Sequence, residues 1–374
     1  MIKKNIIFSI ICLQIMVVGT LLSISPLDID RIVQDKENNN NTEVLLNPKT
    51  NGYAVSQNWN VTTAEVVTTV AVSADGEYMV FGTWGSGDAN YELCLKKVSN
   101  NQTIWTYDYD EEIYSVAISA DGSYIIAGGE EPSSSPSYNL FLFNNSIAAG
   151  SKEPLWEYNT TYACYWVDMS ADGKYIVAGT EDAGVLLFNN SIPAGEKYPH
   201  WQKDFAGNDD PEHVAISDDG EYIVVGTQGL GTHEVLFFNN SYHSGTSKLP
   251  EWNYTTIGNV NSVAISGKGD YIVAGCDISA GDEVFLFNKS SEGEKQPEWS
   301  YNRGHNILSV AISEANGEYI AVGTDDPANG GYALLFNRSD YKGQPMWEYS
   351  VGEVVSVYQV EGSPIPGCEA SAHR

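Results

Sequence analysis

Seven tryptophans recur along the chain, Trp59, Trp105, Trp156, Trp201, Trp252, Trp299 and Trp347, at separations of 46, 51, 45, 51, 47 and 48 residues. Such a period marks a repeated supersecondary unit, because one unit of this size cannot bury its apolar face alone and must stack on its neighbours. At 374 residues the chain is also longer than one ordinary core sustains. The fold is therefore read one repeat at a time. Trp84 and Trp166 fall outside the series.

Gly76, Gly122, Gly173, Gly220, Gly269 and Gly317 bring six units into register. In the third, residues 165–170 alternate and predict a strand, a, that ends in the Ala171-Asp172-Gly173 turn. Glycine supplies there the positive φ that a tight hairpin demands. Residues 174–180 predict strand b, apolar on both faces and hence central; residues 184–189 predict strand c. Strand d, seen at residues 154–158 of the preceding unit, completes a four-stranded antiparallel meander. A tyrosine opens strand b in every unit, at Tyr78, Tyr124, Tyr175, Tyr222, Tyr271 and Tyr319. No helical period follows the N-terminal segment, so the fold class is all-β. Regular four-stranded units predict a β-propeller, whose radial packing leaves only short sheet edges.

The two ends decide the number of blades. Residues 353–360 repeat strand a with no strand b after them, and residues 43–47 are a shortened copy of 185–189, each 12 residues before a tryptophan of the series. A seventh, composite blade that pairs residues 43–63 with 353–360 is the expectation; six blades with frayed ends is the alternative. The chain divides into a signal peptide or signal anchor (1–26), a linker (27–42), the propeller (43–362) and an unstructured tail (363–374).

Residues 113–128, Ile-Tyr-Ser-Val-Ala-Ile-Ser-Ala-Asp-Gly-Ser-Tyr-Ile-Ile-Ala-Gly, resemble the first two strands of a WD-repeat blade. Leu187-Phe188-Asn189, with Pro250-Glu251-Trp252-Asn253-Tyr254 of the next unit, is similar to the quinoprotein-like (PQQ-like) repeat. The likeness covers about residues 43–360. It implies the propeller and leaves function open, since such folds host unrelated roles. The Gly-His pair and terminal Trp-Asp of WD repeats are missing, as is the vicinal cysteine pair of quinone-dependent dehydrogenases. No cofactor is therefore expected. Ser-Pro-Ile-Pro-Gly at 363–367 resembles the lead-in to the membrane anchor of some archaeal surface proteins.

Lys3 and Lys4 precede an apolar run from Ile6 to Ile24, the pattern of a secretory signal. The expected location is extracellular or cell-surface, with membrane contact only through this segment if it is uncleaved. Cys94, Cys164 and Cys276 fall in different repeats, which predicts single buried thiols rather than a disulfide framework. Forty-nine acidic residues against 19 basic ones give a net charge of −30. That balance argues against nucleic acid, whose phosphates demand Lys/Arg stripes, and favours a cationic partner.

Two sets of residues are candidates for function. The b–c connections carry Glu130, Glu131, Glu181, Asp182, Asp277, Asp325 and Asp326, and in a propeller these connections share the channel mouth with the d–a loops. Convergent carboxylates there bind a cationic partner, or Ca²⁺ as the alternative; hydrophilic hairpin tips are the plain reading. Asn144, Asn189, Asn239, Asn288 and Asn337 each begin an Asn-x-Ser sequon at the end of strand c, on the opposite face. They are glycosylation candidates, while Asn-x-Ser is also ordinary turn chemistry. The six histidines lack ligand spacing and no Gly-x-Ser-x-Gly elbow occurs. The reading is a monomeric, non-catalytic scaffold that binds a protein or glycan on one face. The alternatives are a hydrolase or lyase with mouth carboxylates and a quinoprotein-like redox domain.

Overall fold

The computed structural model describes residues 66–84, 91–131, 138–145, 150–181, 184–191, 197–205, 209–229, 233–243, 247–277, 281–290, 295–325, 331–340 and 343–350. Every regular element among them is a β-strand, and they form six sheets in chain order. Blade I contains β1 (Val67–Val72), β2 (Tyr78–Thr83), β3 (Leu93–Lys97) and β4 (Gln102–Tyr107). Blade II contains β5 (Ile113–Ile118), β6 (Tyr124–Gly129), β7 (Leu140–Asn144) and β9 (Trp156–Tyr158). Blade III runs through β10 (Cys164–Met169), β11 (Tyr175–Thr180), β12 (Gly184–Asn189) and β13 (Trp201–Lys203). Blade IV is β14 (Asp209–Ile216), β15 (Tyr222–Gly229), β16 (His233–Asn239) and β17 (Trp252–Thr256). Blade V is β18 (Val260–Ile265), β19 (Tyr271–Cys276), β20 (Val284–Asn288) and β21 (Trp299–Tyr301). Blade VI is β22 (Asn306–Ile312), β23 (Tyr319–Asp325), β24 (Tyr332–Asn337) and β25 (Trp347–Ser350). Six four-stranded blades match the alternative count; the residues of the expected composite blade, 43–63 and 353–360, lie outside the described residues.

The repeat signals have separate physical jobs. At the a–b turn the Ser119 hydroxyl donates to Asp121 Oδ1 at 2.9 Å and accepts the Tyr124 N–H at 3.0 Å. Ser73, Ser170 and Ser217 repeat this lock with Asp75, Asp172 and Asp219. Strand b is buried on both faces, as in β11, where all but Tyr175 are buried. The tryptophans bind blade to blade: Trp105, Trp156, Trp201, Trp252 and Trp299 lie against Phe143, Phe188, Phe238, Phe287 and Phe336 of the following blade, with ring centroids 5.1–5.5 Å apart. Burial of one such ring covers roughly 150–250 Å², or about 4–6 kcal/mol as an upper bound. The thiols of Cys94, Cys164 and Cys276 are free and buried, as expected.

The first strands of successive blades pack on one another, β1 on β5, β5 on β10 and so on to β22, so strand a of each sheet lines the centre. Antiparallel order then puts the start of a, the end of b, the start of c and the end of d at one end of the channel. Sequence reasoning missed one element. The two-residue strand β8 (Gly150–Ser151), in the c–d connection of blade II, crosses to the outer edge of blade I and pairs parallel with β4.

Candidate functional site

Each innermost strand carries a β-bulge near its start. The register slips between Val67 and Thr69, Ile113 and Ser115, Cys164 and Trp166, Pro211 and His213, Val260 and Ser262, and Ile307 and Ser309. A bulge leaves one residue unpaired and re-aims its side chain. The six residues released are Thr68, Tyr114, Tyr165, Glu212, Asn261 and Leu308. Two of them stitch the ring: the Thr68 hydroxyl donates to the Ile113 carbonyl, and Asn261 Nδ2 donates to the Ile307 carbonyl at 2.9 Å. The neighbouring blades II, III and IV put Tyr114, Tyr165 and Glu212 at this position instead.

These three sit among carboxylates. The Tyr114 and Tyr165 rings meet across the blade boundary with centroids 5.0 Å apart. The Tyr114 hydroxyl donates to Glu130 Oε2, and the Tyr165 hydroxyl to Glu181 Oε2 at 3.3 Å. Burial first, and then the charges of Glu181, Glu130 and Asp210, push the Tyr165 phenol up to about 12. Burial, followed by the charges of Asp277 and Asp210, pushes Glu212 up to about 7. Beside it, the His213 ring packs on Trp166 at 4.4 Å, and burial lowers its imidazole to about 4. In blades I, II and V the residue equivalent to His213 is Thr69, Ser115 or Ser262, whose hydroxyl accepts an amide of the next blade at 3.1–3.2 Å.

The expected mouth residues are partly brought together. Glu130, Glu181, Asp277 and Asp325 occupy one register position, at or just past the end of strand b. Glu130 and Glu181 join the tyrosine pair, while Asp277 Oδ1 accepts from Asn261 Nδ2 at 2.6 Å and faces Glu212. Asp325 pairs in register with Asn306, apart from that cluster, and Glu131 is exposed beyond Glu130. Asp182 and Asp326 lie outside the described residues. Sequence reasoning missed Tyr114, Tyr165, Asp210 and Glu212; the signal was the residue just before the Ser-Val-Ala-Ile core of strand a, where residue type varies from blade to blade. Not every acid is available. Glu92 and Glu283 are buried caps: Glu92 accepts the Tyr109 N–H, and Glu283 accepts the Arg303 N–H, each at 2.7 Å. Among the described residues no three His, Cys, Asp or Glu side chains converge as metal ligands.

The mouth is electrically one-sided. The b–c and d–a connections hold one strong cation, Arg303, which pairs with Glu348 and lies 4.2 Å from the centre of the Tyr332 ring. The opposite face gathers lysines. Lys152, Lys197, Lys248 and Lys295 stand four residues before their tryptophans in a Lys-x-Pro-x-Trp string, and all four are buried. Each ammonium lies 4.7–5.9 Å from the ring centre of the preceding blade's tryptophan. Lys248 Nζ also donates to Asn239 Oδ1 at 2.9 Å and to the Ser241 carbonyl and hydroxyl at 2.7 Å. Lys295 binds Asn288 and Ser290 in the same way.

The sequons therefore have a structural occupation. Asn189, Asn239 and Asn337 accept the N–H two residues on, Asn288 accepts the Ser290 hydroxyl, and Asn239 and Asn288 donate Nδ2 to Glu251 and Glu298. Asn144, the fifth, closes β7 and is half-buried. A groove of about 290 Å³ lies beside Asn239, lined also by Tyr222, Phe237, Glu251 and Lys289. Lys289 lies over the Tyr222 ring and pairs with Asp270 at 2.8 Å, so its charge is already compensated.

No protein-family model matches the chain, and no curated protein matches it. Among solved structures it is similar to the β-propeller domain of Myceliophteria thermophila Cps50 (Swd1), with 12% identity and a TM-score of 0.56 over 78% of this chain and 89% of that one. At that identity the likeness shows the fold alone, and the fold is a β-propeller.

Proposed function

We propose that the chain is an exported, cell-surface propeller that binds a protein partner through its b–c/d–a face without catalysing a reaction. The observation that carries this reading is the mouth cluster: the Tyr114–Tyr165 pair, with Glu130 and Glu181 on its hydroxyls and Asp210, Glu212 and Asp277 beside it. Aromatic faces and carboxylates together attract an ammonium or guanidinium group, since ring quadrupole and charge act in the same sense. The favoured ligand is a lysine- or arginine-bearing segment. A glycan ranks second, Ca²⁺ third, and no cofactor is part of this reading. Export rests on Lys3, Lys4 and the apolar run after them.

Binding of a fluorescent oligolysine to the wild type and to a Glu130→Gln/Glu181→Gln double variant tests the reading. Affinity should fall with salt and drop by about tenfold or more in the variant. Equal binding by both proteins, or retention of neutral saccharides alone, would overturn it. One observation favours a second reading: a carboxyl held near neutrality beside two other acids suits general acid chemistry. Polysaccharide turnover that disappears in Glu212→Gln would establish the hydrolase or lyase.

A further inference from the structure

At three of the five seams between consecutive blades, a carboxamide closes the face opposite the mouth. Asn145, Asn190 and Asn240 follow the asparagine that ends strand c. Each donates Nδ2 to the carbonyl of its own a–b turn glycine, Gly122, Gly173 or Gly220, at 2.8–3.1 Å. At the first two seams Oδ1 also accepts the indole N–H of the preceding blade's tryptophan, Trp105 at 3.2 Å and Trp156 at 3.4 Å. One amide group thus serves a donor on one blade and an acceptor on the next. The Trp201 N–H lacks a partner, but Asn240 stands at its seam with the same bond to the turn. At the seam of blades V and VI, Trp299 donates to the Arg338 carbonyl at 3.2 Å.

The seam between blades IV and V departs from this plan on both sides. On blade V the residue in the asparagine position is Lys289, whose side chain has no acceptor to offer. Its ammonium turns to Asp270 and the Tyr222 ring, and it reaches the Lys268 carbonyl, at 3.5 Å, rather than that of Gly269. The Trp252 indole N–H, in a residue only 5% exposed, is left without a partner, a state that folded proteins seldom tolerate without a reason. On blade IV the strand-c residue paired with the tryptophan is Phe237. In the other five blades it is leucine: Leu95, Leu142, Leu187, Leu286 and Leu335. Phe237 lies between Tyr222 and Trp252, with centroids 5.0–5.3 Å apart and neighbouring planes 11–13° from parallel. The groove of about 290 Å³ opens at this seam, with Tyr222, Phe237, Asn239, Glu251 and Lys289 as its walls.

We propose that this groove binds an N-acetylated sugar, whose acetamido group takes the part that asparagine plays at the other seams. The acetamido oxygen accepts the Trp252 N–H, and the acetamido N–H donates to the Gly269 carbonyl, as Oδ1 and Nδ2 of Asn145 and Asn190 do at theirs. The Lys289 side chain, 39% exposed, swings outward to admit the group. The sugar ring stays in the groove, where the Glu251 carboxylate and the Asn239 amide meet its hydroxyls. The volume stands at the lower end for small-ligand sites and suits a single ring. Lys289 is paired with Asp270, and Glu251 lies beside the Lys248 ammonium, so the walls are near electrical balance and favour a neutral ligand. The sugar is a free one rather than a glycan on Asn239. That side chain commits Nδ2 to Glu251 and Oδ1 to Lys248 and Ser241.

Titration of the full-length chain with N-acetylglucosamine, followed on the indole N–H resonances by NMR, tests the proposal. The Trp252 resonance, identified by its loss in Trp252→Phe, should shift and saturate. Glucose, which lacks the acetamido group, should bind at least about tenfold more weakly, because it leaves the indole unpaired. Lys289→Asn supplies the protein's own carboxamide, so it should raise the Tm and weaken sugar binding by about tenfold or more. Lys289→Ala should bind at least as well as the wild type. A Trp252 resonance that stays in place at the highest soluble sugar concentration overturns the proposal, as does a shift confined to other indoles. Equal binding of glucose, or undiminished binding by Lys289→Asn, overturns it too. So does an intact mass that already includes a sugar on Asn239 with a Trp252 resonance indifferent to added sugar, which would make a covalent glycan the occupant.

Discussion

Replacing Lys248 by methionine tests whether buried lysines hold the face opposite the mouth. The ammonium makes three hydrogen bonds of 2.7–2.9 Å and lies 5.9 Å from the centre of the Trp201 ring. Bonds to a charged group contribute about 1.5–3 kcal/mol each, so three give roughly 5–9 kcal/mol. Against this stands the desolvation of the ammonium of a lysine that is only 6% exposed, a penalty of up to several kcal/mol. Burial indeed lowers the Lys248 pKa. Methionine keeps the apolar stem over the ring, abolishes the charge and leaves the Ser241 carbonyl short of a donor. The net loss should be about 2–3 kcal/mol.

For a domain of this size that corresponds to a Tm lower by roughly 3–5 °C. The control is Lys174→Met. Lys174 also lies over a tyrosine ring, at 4.8 Å from Tyr175, but it is exposed, so its loss should stay within about 0.5 kcal/mol. Calorimetric scans of both variants decide the matter. Equal shifts would mean that the three bonds only break even with desolvation, and the clamp would then be no source of stability. An Asn239→Ala variant should couple to Lys248→Met by at least about 0.5 kcal/mol, because the two share a bond.

Three further outcomes follow from the same geometry. Glu212 is pushed up to about 7, so the folded state binds more protons than the unfolded chain between about pH 4.5 and 7; stability should fall as pH rises through that window. Glu212→Gln should flatten this slope and stabilise the protein at pH 8 by up to about 2 kcal/mol after allowance for solvent screening, as urea titrations at pH 5 and 8 would read. His213 has the opposite sign: with its imidazole lowered to about 4, the unfolded chain binds the extra proton, and stability should fall as pH drops from about 6.5 to 4. His213→Ser, which restores the residue of blades II and V, should remove that acid sensitivity. Gly173→Ala combines a φ of +65° with a Cβ 2.7 Å from the Tyr124 ring, and should cost about 2–4 kcal/mol in denaturant unfolding.

Strand order, turns and seams were legible in the sequence because each depends on a residue type that recurs. Gly173 is glycine for its φ, Ser170 is serine for the turn lock, and Trp201 is tryptophan for the next blade. The lysine clamps were equally periodic and were nonetheless hidden. A lysine reads as a solvated side chain, and only the three-dimensional approach of the c–d loop to the preceding blade buries it. The Lys248 N–H donates to the Gln202 carbonyl at 2.7 Å on the outer strand of blade III, and this crossing carries the side chain over Trp201. The sequons share that cause: Asn239 faces Lys248 because the loop folds back, a fact no spacing within the motif contains.

The mouth divides along the same line. Acids just past strand b were visible because Glu130, Glu181 and Asp277 share one register position, and hairpin tips tolerate charge. Their partners were not, because the bulge frees its position from the demands of the repeat. Six innermost strands keep the bulge and place Thr68, Tyr114, Tyr165, Glu212, Asn261 and Leu308 on it, six residues of five types. Core positions vary far less: Val80, Ile126, Val177, Val224 and Val273 in the centre of strand b are β-branched and essentially sealed from solvent in five blades, and the sixth has the half-buried Ala321 there. A repeat is legible where packing holds each unit to the same residue, and the propeller can carry a function of its own only where packing lets go. Periodicity therefore points to the site indirectly, at the bulge of strand a and the residue after it, where it fails.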